Sequence, residues 1–217
     1  MKRALPILLL AWATPGLAQG PQATIEPYYV FGDYREQVAG LRFRGDGGGV
    51  AATVAYRRWS LAGRYERLSY SPQVKSSGFA AFEASQSEFT LRYRAASHFS
   101  AMVGVRRRKP DPGDAAQEVG SLVLGIQVDL PLGAGTAIAG RAAYLGFSEF
   151  SGGGSAPFGV SLGLGVTSSP GPRWLRLAGD FDFERLDRRT DSAAGTVSVP
   201  IQVATARLGI SVLFGRE

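Results

Sequence analysis

The sequence predicts an all-β protein: an up-and-down antiparallel transmembrane β-barrel of about ten strands, with roughly eight to twelve allowed by the spacing. Three observations predict it. Side chains alternate between apolar and polar in stretches of about ten residues, the length a tilted strand needs to cross a bilayer core. The connections alternate short and long, as tight turns at one end of a barrel and longer loops at the other require. The chain holds 29 glycines in 217 residues, with no helical period and no run approaching the ~20 apolar residues of a membrane helix.

In chain order, residues 24–34 form the first expected strand, with Ile25, Tyr29 and Phe31 on one face. Residues 35–48 are polar and Gly-rich and predict a loop. Residues 49–57 set Val50, Ala52, Val54 and Tyr56 against Ala51, Thr53, Ala55 and Arg57, and a tight turn follows at Arg58-Trp59. Residues 60–70 return, before a longer loop over 71–84. Residues 85–95 place Phe89, Leu91 and Tyr93 opposite Glu88, Arg92 and Arg94, and turn at Ala96-Ser97. Residues 98–108 follow with Phe99, Ala101, Val103 and Val105 on one face; 109–118 is a loop. Residues 119–130 alternate cleanly and 136–147 poorly, joined by a turn at 131–135. After a Gly/Ser loop, residues 158–167 set Phe158, Val160, Leu162, Leu164 and Val166 against Gly159, Ser161, Gly163 and Gly165. Residues 174–185 carry Leu175, Leu177, Phe181 and Phe183 opposite Arg176, Asp180, Asp182 and Glu184, and 186–199 is expected to be a polar loop.

The closing strand, 201–214, has an unbroken apolar face of Ala204, Ala206, Leu208, Ile210, Val212 and Phe214, with Val203, Thr205, Arg207, Gly209 and Ser211 opposite. A polar residue, a glycine two on, then an apolar residue and a final aromatic are supplied by Arg207, Gly209, Val212 and Phe214. The stretch resembles the C-terminal signal strand of outer-membrane β-barrel proteins, here of small porin-like type, although three residues follow the aromatic. The resemblance implies a Gram-negative-type outer membrane. It also implies barrel-insertion machinery as a partner during biogenesis, and lipid and lipopolysaccharide around the mature protein. It implies no substrate.

Residues 1–18 read as a secretory signal peptide: Lys2 and Arg3, a short apolar run, then Gly16 and Ala18 as small residues before Gln19. Residues 19–217 are then a single barrel domain, with no separate periplasmic domain expected. There is no cysteine, so thiol chemistry, disulfides and a lipid-anchored N-terminal Cys are excluded. The charge of +6 falls to +4 without the leader, and its basic residues are interspersed with acids, which argues against nucleic acid as a partner. Oligomeric state is not readable.

Lipid is expected on the apolar face, because aromatics gather near strand ends (Tyr56, Trp59, Phe99, Trp174, Phe214) as membrane girdles do. The lumen then receives Arg57, Arg64, Glu66, Glu88, Arg92, Arg94, Arg106, Asp129, Arg141, Arg176, Asp180, Asp182, Glu184 and Arg207. Both signs are present, so pairing is expected, since isolated charges away from bulk water are costly. The glycines of 159–165 leave room for a narrow water-filled path. Candidate chemistry is sparse. His98 is the one histidine, and it falls at the short-turn end. Asp180, Asp182 and Glu184 at period two offer oxygen ligands for a cation, or partners for lumen arginines. Arg106 to Lys109 could meet lipopolysaccharide phosphates or form a solvated loop stem. Arg44-Gly45-Asp46 falls in the first expected loop. No cofactor and no catalytic residue is expected. The reading is a non-enzymatic barrel, structural or a narrow channel for small solutes. The alternatives are a surface-loop binding or adhesion protein, and a soluble exported lipocalin-like barrel around an apolar ligand.

Overall fold

The computed structural model describes residues 20–38, 40–73, 80–111, 117–133, 135–172, 174–192 and 195–215. The expected signal peptide lies outside them. The described chain is all-β: β1 (Gln22–Glu36), β2 (Leu41–Tyr56), β3 (Trp59–Pro72), β4 (Phe82–Arg94), β5 (Phe99–Pro110), β6 (Val119–Gly133), β7 (Thr136–Phe150), β8 (Ser155–Ala156), β9 (Gly159–Ser168), β10 (Leu175–Ser192) and β11 (Gly195–Phe214). The two-residue β8 pairs with β7 and β10, as β9 does, and forms the outer end of the same wall. The result is a closed ten-strand antiparallel barrel. Sequential neighbours pair all the way round, and β1 meets β11 from Ala23↔Phe214 to Glu36↔Ile201. Closure leaves no backbone edge unpaired, which is the condition for a sheet to stand in hydrocarbon.

Both described ends of the chain and the tight β2–β3 turn lie at one end of the barrel, here the turn end. Arg57 and Arg58 make that turn, and Arg57 is held at φ 55° with its guanidinium over the Tyr56 ring. This corrects two expectations. Arg57 is an exposed turn residue rather than a lumen one, and Trp59 begins β3 opposite Tyr56.

The expected alternation holds, with the apolar face outward. Leu61, Phe89, Val105, Leu124, Leu162, Leu164, Phe181 and Leu208 are all exposed on the outer wall. So large an apolar surface has no place in water and fits hydrocarbon. On the β9 wall it runs from Phe158 to Val166, and these eight steps along a tilted strand climb roughly 20 Å. Tyr56, Trp59, Phe99, Trp174 and Phe214 form its lower rim.

Toward the other end, the loop end, the polarity reverses. Asp33, Arg35, Arg42 and Arg44 point outward and pair with one another, as do Arg67 with Glu83 and Arg107 with Glu118. Inward on β1, β2 and β3 lie Val30, Tyr34, Phe43, Leu68 and Tyr70, and on β11 Ile201 and Val203, all buried. Much of the sequence expected as loop over 35–48 and 186–199 is therefore strand, standing above the apolar band, whereas of the described residues of 109–118 only Lys109 and Pro110 are strand. The period of two continues there with its polarity inverted, so the charged face disguises the strand as a loop. Arg44-Gly45-Asp46 accordingly lies within β2 and is not a loop tripeptide.

At the end of 136–147 the alternation breaks at Phe147. Two β7 residues, Phe147 and Ser148, stand opposite the single Ser121 of β6. This β-bulge holds Phe147 at φ 51° and shifts the parity by one. Arg141, Ala143 and Leu145 point inward before it, and Ser148 and Phe150 after it. Ser121 and Ser148 meet inside through their hydroxyls at 2.7 Å.

Candidate functional site

The lumen is built in tiers. The middle tier is ionic. Arg207 of β11 crosses the barrel to Glu66 of β3 with two parallel bonds, 2.7 and 2.9 Å, and donates to Asp182 Oδ2 of β10 at 2.5 Å. Tyr28 donates to the same Glu66 carboxylate at 3.1 Å. Asp182 also accepts from Arg64 at 3.2 Å and from Arg141 at 2.9 Å. Arg141 approaches Asp180 at 3.4 Å. Arg106 holds Glu88 at 2.8 Å through Nε and also bonds Glu184. Strand alternation alone points each of these side chains inward. Ringed by a closed sheet, they have one another as partners in place of water.

These contacts bear on the candidate roles of the acidic row. Asp180, Asp182 and Glu184 are each engaged by arginine, one of the two kinds of partner expected for them. The glycine wall of β9 is occupied. A Cβ at Gly163 would collide with Asp182 and with Arg141, and one at Gly159 with Leu186 and Leu145. The room left by these glycines holds neighbouring side chains, which corrects the expected water path along them.

Above the ionic tier lies an apolar one. Val30, Leu68, Val123, Leu145, Leu186, Ile201 and Val203 belong to one buried cluster, and Val30 and Val123 are 0% exposed. They come from six different strands, so the cluster spans the lumen. Sequence reasoning missed it because its members were assigned to loops or to a nominally polar face. The inverted period of two on β1, β3 and β11 is the signal that reveals it.

Two small polar chambers adjoin the ionic tier, of about 190 and 150 Å³, the second bounded by the tier's own Arg64, Glu88, Arg141 and Asp180. The first lies at the turn-end mouth beside Arg57, Arg94, Gln127 and Asp129. Arg92 lines both, and its Nε is buried without a hydrogen-bond partner. Arg176 is half-buried near the turn end of β10, opposite Ser211. His98 sits in the β4–β5 turn, its Nδ1 at 3.0 Å from the Asp129 carbonyl oxygen. The run from Arg106 to Lys109 divides by parity. Arg106 and Arg108 point in, and Arg107 and Lys109 point out. It is neither a single phosphate patch nor a plain loop stem. Of the closing-strand residues, Phe214 and Val212 face outward in the lower band, Arg207 is an inner strut, and Gly209 lies against Pro27 and Tyr28 of β1.

A closed up-and-down barrel, apolar outside and charge-paired within, is an outer-membrane β-barrel in fold. The solved structures similar to it include the outer membrane protease OmpT from Escherichia coli, at 10% identity over 89% of this chain and 96% of that one, with a TM-score of 0.51. An outer membrane channel from Pseudomonas putida F1 gives 11% identity over 94% and 100% of the two chains, TM-score 0.48. The attachment invasion locus protein Ail of Yersinia pestis gives 12% over 89% and 99%, TM-score 0.41. At such identities the likeness is one of fold. No family model matches the chain, and no curated protein does.

Proposed function

We propose that this chain is a non-enzymatic barrel of a Gram-negative-type outer membrane, whose lumen is sealed and which serves as a structural or ligand-holding surface element and not as an open pore. The observation that carries this is the apolar layer above the ionic tier. Side chains from six strands meet there, none more than 4% exposed. An ion crossing it would leave water entirely, at a cost of several kcal/mol. The non-enzymatic reading is supported by the placement of His98 in a turn, bonded to backbone, and by the arginine partners of Glu66, Asp180, Asp182 and Glu184.

The same reading includes export through residues 1–18 and recognition of Arg207, Gly209, Val212 and Phe214 by insertion machinery. It places the outward cations above the apolar band, such as Arg44 and Lys109, at the level of lipopolysaccharide. The test is conductance of the purified barrel in planar bilayers. The expected trace is quiet at moderate voltage. A substitution set that shrinks the layer, Leu68→Gly with Leu145→Gly and Ile201→Gly, should produce open steps. Steady ohmic openings of the unaltered protein would overturn the reading.

A further inference from the structure

Above the apolar layer the barrel opens into a cup of about 580 Å³ at the loop end. Four aromatic rings form its floor. Tyr34, Phe43, Tyr70 and Phe82 pack with centroids 5.0–6.4 Å apart. The volume is that of a small-molecule site, and such sites join an apolar lining to a few placed polar groups. One such group is here. Arg108 enters from β5, only 6% exposed, with its guanidinium 5.4 Å from the Tyr34 ring centroid. Its Nη2 is buried and has no hydrogen-bond partner. A desolvated guanidinium N–H without an acceptor is costly, and in the ionic tier below Arg64, Arg106, Arg141 and Arg207 each have a carboxylate partner.

We propose that the cup binds a small apolar carboxylate, its body against the aromatic floor and its carboxylate on Arg108. Carboxylate is the planar partner a guanidinium fits with two parallel bonds. Two protein carboxylates also line the cup, Glu36 and Asp111. Asp111 accepts the Glu83 backbone N–H at 3.4 Å. Glu36 lies above the membrane band. Burial raises its pKa, and the Arg188 charge offsets this in part. Neither accepts from Arg108 Nη2, which has no acceptor among the described residues. The proposal stands whether or not the lumen conducts.

The test is equilibrium binding of 2-naphthoate to the full barrel in nanodiscs of uncharged phosphatidylcholine. Saturable binding is expected. Uncharged 2-naphthamide should bind at least about tenfold more weakly, the scale of one charge-assisted contact. Arg108→Gln should lose about tenfold, and Arg107→Gln, on the outer wall, should lose nothing. Non-saturable uptake, equal affinity for the amide, or unchanged affinity in a folded Arg108→Gln barrel would each overturn the proposal. The amide comparison needs no variant, so a failure of Arg108→Gln to fold leaves the test decisive.

Discussion

Asp182 accepts from Arg64, Arg141 and Arg207, which arrive from β3, β7 and β11. One carboxylate thus ties three walls of the barrel through its centre. Asp182→Asn keeps the shape and removes the charge, leaving buried guanidiniums short of a counter-ion. The expected cost is about 3–5 kcal/mol. Asp33→Asn removes exposed pairs on the outer wall and should cost less than ~1 kcal/mol. Urea unfolding of the two variants in lipid vesicles measures the difference, and equal effects would contradict the ionic tier. The sequence shows which side chains face inward, because alternation does so residue by residue. It does not show who pairs with whom. Arg207 and Glu66 are 141 positions apart, and only closure of the sheet brings them together.

At the scale of the strand, β9 gives the sharpest test of what surrounds the barrel. Leu162 is 52% exposed. In water, arginine at such a site would change stability within about ±0.5 kcal/mol. At a bilayer midplane the cost is about 2–4 kcal/mol. We expect the larger value for Leu162→Arg by vesicle refolding equilibrium, and a value near zero would put water on that face. Neighbouring Ser161 points inward but offers no easy home for arginine, because it is buried between Ala143 and Glu184. The membrane-crossing parts of the strands were legible because one face is greasy and the other polar. Their upper parts were not, because polarity inverts where the wall leaves lipid. Arg42 and Arg44 alternate with Leu41 and Phe43, which is a strand seen with its charged side out. The bulge at Phe147 was not legible, since one extra residue changes parity without changing composition.

For the whole molecule, closure explains the rest. The β1–β11 seam removes the last sheet edge, and the ionic struts and apolar layer occupy the middle of what closure encloses. On the proposed reading, function belongs to the two ends and the outer wall more than to a passage through the middle. The architecture and its lipid-facing side were readable from pattern. The seal and the outer cup were not, because both are made by side chains that meet only across the lumen. The central claim is a closed barrel held in an outer membrane. It is tested most directly by fractionating cells and comparing unheated with heated gel migration of the membrane fraction. The expected result is recovery in the outer-membrane fraction with faster migration before heating, since a closed barrel stays compact in detergent. A soluble periplasmic protein whose migration does not change on heating would contradict it.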